Sequence, residues 1–142
     1  MISYPVFFSS QATAETGTAR PWQIQSGDMK TFCTIPVEFD GPGNGFSPED
    51  LFAQALTNCF VATFKVMAER SKVSFERLEA NGLLTVDRNE KSQPTMKSFL
   101  LQIRLTKPSH PERASTLVKK AMETGFILNS VLTLVDYNLE IV

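Results

Sequence analysis

The longest apolar run in the chain has the spacing of a helix. Leu51, Phe52, Ala55, Leu56, Cys59, Phe60, Ala62, Phe64, Val66 and Met67 cover nearly its whole circumference. Such a pattern predicts a central, buried helix. Ser47-Pro48-Glu49-Asp50 starts it with a serine cap, a proline at the first position and two acids against the helix dipole. The run turns polar at Lys65, Glu69 and Arg70, so the helix is expected over 48–70. Before it the pattern is that of strands and turns. Ile2 to Ala14 is rich in β-branched and aromatic residues, and Pro21–Gln25 and Met29–Phe39 bracket the break Ser26-Gly27-Asp28. In the last of these segments Thr31, Cys33, Ile35, Val37 and Phe39 share the apolar face, which turns Cys33 inward.

Beyond the helix the period drops to two. Leu78, Ala80, Gly82, Leu84 and Val86 alternate with polar neighbours. After a polar turn over Asp87–Pro94, so do Phe99, Leu101, Ile103 and Leu105, which predicts an antiparallel hairpin with one wet face. Ser109-His-Pro-Glu112 has capping-box spacing ahead of Ala114, Leu117, Val118, Ala121 and Met122, an amphipathic helix that Gly125 closes. Val131–Val142 reads as a last strand. The order β-β-β-α-β-β-α-β is that of an α+β domain. One domain is expected over 1–142, with an N-terminal sheet in 1–40, the central helix at 48–70 and a β-β-α-β unit in 73–142.

Composition removes several classes of function. Fourteen basic and fifteen acidic residues give a net charge of −1, without the basic excess of a nucleic-acid binder. Two cysteines and one histidine cannot build a disulfide scaffold, a four-cysteine zinc site or an iron–sulfur cluster, and no metal or cofactor is expected. The N-terminus lacks the pattern of a secretory signal. The longest charge-free apolar segment, Leu51–Phe64, is 14 residues long and carries Gln54, Thr57 and Asn58, short and polar for a membrane span. A cytoplasmic protein with reduced thiols and no membrane contact is expected.

Several motifs carry no chemistry. The glycines of Asp40-Gly-Pro-Gly-Asn-Gly-Phe46 do not match a phosphate-binding spacing, and Glu49 and Asp50 would repel an anion at the helix start. No nucleophile-elbow motif accompanies His110, and Glu49/Asp50 are explained by the helix dipole. Cys59 admits two readings. A cysteine midway along a buried helix can simply fill space. It can also be a nucleophile, if a cation or hydrogen-bond donors face its sulfur.

Residues 44–60, Asn-Gly-Phe-Ser-Pro-Glu-Asp-Leu-Phe-Ala-Gln-Ala-Leu-Thr-Asn-Cys-Phe, resemble the central-helix signature of the OsmC/Ohr proteins. The element order and Asn129-Ser130 before the last strand are similar to that family too. The resemblance implies an OsmC-like fold and an intertwined homodimer around paired central helices. It also implies a thiol-dependent peroxidase acting on organic hydroperoxides or hydrogen peroxide, turned over by a thiol reductant. By position Cys59 matches the peroxidatic cysteine and Glu49 the motif glutamate. Arg20, the only arginine ahead of the central helix, stands for the family's arginine. Phe46, Phe52 and Phe60 are candidates for an apolar wall.

Ten helical residues rise about 15 Å, so Glu49 cannot touch Cys59 of its own chain. If both serve one site, the partner subunit supplies one of them. The chain also departs from the family. The usual second, resolving cysteine falls at Gly125. Three outcomes follow: an external thiol reduces Cys59, Cys33 substitutes as the resolving thiol, or catalysis is lost. The last would leave a non-catalytic binder of small apolar ligands or a redox sensor.

Overall fold

The computed structural model describes residues 2–142. Two compact units divide the chain, the first closing at Leu51 and the second opening at Phe52.

The first unit holds a three-stranded antiparallel sheet, β1 (Gln11–Thr13), β2 (Trp22–Ser26) and β3 (Met29–Cys33), in that order. β1 is far shorter than the apolar run from Ile2 suggests. Phe7 and Phe8 stand 86% and 94% exposed, because β-forming side chains make a strand only where a partner strand and a face to cover exist. β3 also ends early. Thr34 donates its N–H to the Phe46 carbonyl at 2.8 Å, and Cys33 pairs with Phe46 in an isolated parallel bridge. Pro36 then brings no backbone donor. Val37–Phe39 forms a single 3-10 turn that Asp40 closes with a φ of 61°. Of the expected inward face, Cys33 is buried whereas Val37 and Phe39 are exposed.

α1 (Pro48–Arg70) begins as its sequence predicts. The Ser47 hydroxyl accepts the Asp50 N–H at 3.0 Å, and the Asp50 carboxylate accepts the Ser47 N–H at 2.9 Å. This is a capping box closed by aspartate instead of glutamate.

The second unit has one core. Leu56, Phe60, Phe64 and Ala68 form a fully sealed stripe of α1 at four-residue spacing. They share the core with Phe99, Leu101, Ile103 and Leu105 of β5 and with Ala114, Val118 and Ala121 of α2. β4 (Arg77–Arg88) and β5 (Pro94–Thr106) pair antiparallel, and a bulge falls between Thr85 and Val86. α2 (Pro111–Thr124) carries the chain across to β6 (Leu134–Ile141), which pairs parallel to β5. Gly82 makes this layer possible. A β-carbon there would overlap the Phe99 ring and stand 2.8 Å from the Thr57 hydroxyl of α1.

α1 differs from its sequence pattern in one respect. Within one chain only that stripe is sealed, and Leu51, Ala62 and Val66 are exposed. At 23 residues α1 is long and apolar enough to cross a membrane on length and composition alone. The packing of Phe60 and Phe64 in the core accounts for the apolar character of the sealed stripe, and the rest of the apolar surface of α1 stays uncovered within one chain. Ser109 does not cap α2. His110 stands at the N-cap without a side-chain bond, while the Ser109 hydroxyl accepts the Ser74 N–H at 3.0 Å. The last strand starts at Leu134, after a 3-10 turn over Leu128–Ser130.

Candidate functional site

Cys59 lies at mid-length in α1, half-buried, with its sulfur against the end of α2. The residue that ends α2 is Gly125. Its N–H donates to the Ala121 carbonyl at 3.0 Å, and its own carbonyl accepts the Asn129 N–H at 2.8 Å. Gly125 does not take the left-handed conformation expected of a helix-terminating glycine; its φ is −56°. Glycine is required here for space. A β-carbon on Gly125 would lie 2.9 Å from the Cys59 Sγ and 3.1 Å from both the Ala121 carbonyl oxygen and the Leu128 Cδ1. The sulfur therefore fills the volume that a side chain at 125 would occupy.

This surround is sterically tight and is built at the C-terminal end of α2. A helix C-terminus presents carbonyl oxygens and partial negative charge. A group that holds the sulfur as an anion must come from another part of the molecule or from a partner.

Glu49 sits in the first turn of α1. Its Oε1 is buried and has no hydrogen-bond partner. Such orphaned atoms are rare in folded proteins and cost about 1–3 kcal/mol each. The helix is unbroken between Glu49 and Cys59, so about 15 Å of rise separates them along its axis. Arg20 is engaged elsewhere. Its Nη1 donates to the Glu15 carboxylate at 2.7 Å, with the two side chains 65% and 80% exposed. An ion pair in water contributes about 0–1 kcal/mol, so this engagement is readily exchanged.

Cys33 is a different kind of cysteine. It is 2% exposed. Burial pushes its thiol above the ordinary value of 9.0; the Thr34 backbone N–H opposes this, and the charges of Glu49 and Asp50 add to it. The neighbouring Thr34 is equally buried, and its hydroxyl has no partner. Sequence reasoning missed that orphan, since nothing in a lone threonine signals it. Of the expected apolar wall, Phe60 is wholly sealed in the core and cannot face a substrate. Phe46 is exposed, and Phe52 lines an open cavity. Among the described residues no group of three histidine, cysteine, aspartate or glutamate side chains is placed to hold a metal ion.

Residues 41–140 match the family model of the OsmC-like proteins. An uncharacterised protein of Bacillus subtilis, YmaD, is 37% identical over 65 residues, covering 44% of this chain and 43% of that protein. An uncharacterised protein of Acinetobacter baylyi is 32% identical over 74 residues, covering 51% and 50%. The match thus spans about half the length of these curated relatives or less. Among solved structures, an OsmC-like protein of unknown function from Vibrio cholerae superposes with a TM-score of 0.82 at 18% identity, over 96% of this chain and 100% of that one. An organic hydroperoxide resistance protein from Legionella pneumophila gives 0.75 at 22%, over 98% of each chain. At these identities the likeness shows the fold.

Proposed function

The chain belongs to the OsmC-like protein family, and from that premise we propose that it is a one-cysteine, thiol-dependent peroxidase whose nucleophile is Cys59. The single observation that carries the reading is the packing of the Cys59 sulfur against Gly125, the position at which the family's usual second cysteine falls. That proximity supports a site laid out for two thiols in which the second is missing.

In the proposed reaction the Cys59 thiolate attacks the distal oxygen of a hydroperoxide. The O–O bond breaks, the sulfur becomes a sulfenic acid and the alkoxide leaves as an alcohol after taking a proton. An external thiol then attacks the oxidised sulfur and releases water. A second thiol cleaves the mixed disulfide and restores Cys59. Cys33 is unsuited to the resolving step, because its thiol is buried and its surroundings favour the protonated form.

The anionic sulfur needs a guanidinium, and Arg20 held by Glu49 is the proposed source. The unpartnered Glu49 Oε1 supports this, since it is an acceptor in want of a donor. Glu49 is too far along α1 to serve the cysteine of its own chain, so the active unit is a homodimer in which each subunit brings Glu49 and Arg20 to the partner's Cys59. The exposed apolar side of α1 and the exposed Phe7 and Phe8 supply surface for that association. The proposed setting is the cytoplasm, where thiols stay reduced.

Consumption of cumene hydroperoxide with dithiothreitol and with glutathione, wild type against Cys59→Ser, tests the reading. Loss of turnover in the variant is expected, and equal rates in the two proteins would overturn it. The missing resolving thiol also favours a second reading, a redox sensor. A Cys59 sulfenic acid that persists in the presence of either thiol would select that one.

A further inference from the structure

The β4–β5 turn, the segment before β6 and Phe52 of α1 line an open cavity of about 540 Å³ that does not include Cys59. We propose that this cavity binds an aliphatic carboxylate. Its volume falls within the range of about 300–1,000 Å³ typical of small-molecule sites. Phe52, Met96 and Leu132 give it an apolar lining, whereas Thr95 and Thr133 contribute hydroxyls and Lys97 an ammonium group. A hydrocarbon chain covers the first set and a monoanionic head satisfies the second.

The lining itself carries a single charged side chain, Lys97. Its present partners are weak: the Asp87 carboxylate at 3.8 Å and the Arg88 carbonyl at 3.4 Å, in a half-exposed setting. An exposed pair of that length contributes about 0–1 kcal/mol and yields to a ligand carboxylate that also gains the Thr133 hydroxyl as a donor, while the Thr95 hydroxyl exchanges its long bond to the Asp87 carbonyl at 3.4 Å. A single ammonium calls for a monoanion; a phosphate dianion would ask for more positive charge than the cavity holds.

The backbone is shaped at this spot. Thr85 pairs with Ser98 and Val86 with Met96, which leaves Lys97 as the extra residue of a β-bulge. In a regular strand Met96 and Lys97 would point to opposite faces. The bulge lets both line one cavity, and re-aiming a side chain is a recurring use of such irregularities. Phe52 lies seven residues before Cys59, on the same face of α1 and about 10 Å along its axis. The carboxylate site is thus a neighbour of the cysteine and independent of its chemistry.

The test uses reduced, full-length protein with ¹³C-methyl methionine and two probes, decanoate and decan-1-ol. Decanoate is expected to shift the Met96 methyl signal, assigned through Met96→Leu, and to bind at least about fivefold more tightly than decanol. Lys97→Gln should remove that preference and leave decanol binding unchanged, Lys97→Arg should keep it, and Leu132→Ser should weaken both probes. An unmoved Met96 signal, as when a second copy of the chain covers the cavity, would overturn the proposal. So would equal binding of the two probes, or a Lys97→Gln protein that still prefers decanoate. Peroxide turnover is not part of the readout, so the outcome is separate from the fate of the Cys59 reading.

Discussion

The Cys59 sulfur and Gly125 stand in disulfide register. A β-carbon built on Gly125 lies 2.9 Å from that sulfur. With an S–S bond of about 2.04 Å, the distance from one β-carbon to the far sulfur of a disulfide is about 3 Å. Only a residue that bonds to the sulfur escapes the clash.

Gly125→Cys is therefore expected to form an intrachain disulfide with Cys59 on mild oxidation, and Gly125→Ala to crowd the sulfur. The alanine variant should lose about 1–3 kcal/mol of stability, the usual cost of overpacking. Free-thiol titration and tryptic mapping under non-reducing conditions check the first, and denaturant unfolding the second. A Gly125→Cys protein that keeps three free thiols after oxidation would show that the two positions do not meet in solution.

Cys33 should resist alkylation by iodoacetamide at pH 8 in the native protein and react in the unfolded one. Its folded thiol lies above 9.0, pushed there first by burial. The sign for stability follows. Below about 9 both states hold the proton. As the pH rises past that value the unfolded chain gives up its proton first, so stability falls until the folded thiol ionises too. Urea titrations at pH 8 and pH 10 should show a smaller decline in Cys33→Ala than in wild type.

Arg20 is expected to behave as a group shared between two carboxylates. Glu15→Gln removes its exposed partner at 2.7 Å and should leave hydroperoxide turnover equal to or above wild type. Glu49→Gln and Arg20→Met should each lower kcat/KM by about tenfold or more, the scale of a lost charge-assisted bond. Alternation of the effect, with Glu15→Gln impaired and Glu49→Gln intact, would reverse the assignment.

Val66 lies on the open side of α1, 48% exposed in one chain. Val66→Glu should shift sedimentation from dimer toward monomer and lower activity in parallel. A wild-type protein that sediments as a monomer at micromolar concentration would remove the shared-site arrangement.

Much of the fold was legible because local signals agreed. Ser47, Pro48 and Asp50 announce the start of α1, and the alternation of Phe99, Leu101, Ile103 and Leu105 is read directly as the buried face of β5. The run from Ile2 to Phe8 misled, since β propensity does not tell whether a pairing strand exists in the same chain. Ser109 misled as well, because its hydroxyl is drawn to Ser74, 35 residues away in sequence. Cys59 and Glu49 could be singled out by motif, but the environment of each is a matter of packing. The contact with Gly125 joins two helices 66 positions apart, and the orphaned Glu49 oxygen is visible only once burial is known. Phe60 illustrates the limit from the other side, as an aromatic beside Cys59 in sequence that proved to be core.

The most direct test of the central claim is the state of Cys59 after one equivalent of cumene hydroperoxide. Mass spectrometry of the reduced protein, with and without dimedone, should find one added oxygen on Cys59, trapped by dimedone and reversed by glutathione, while Cys33 is unchanged. An unmodified Cys59 under conditions that consume the peroxide would contradict the account.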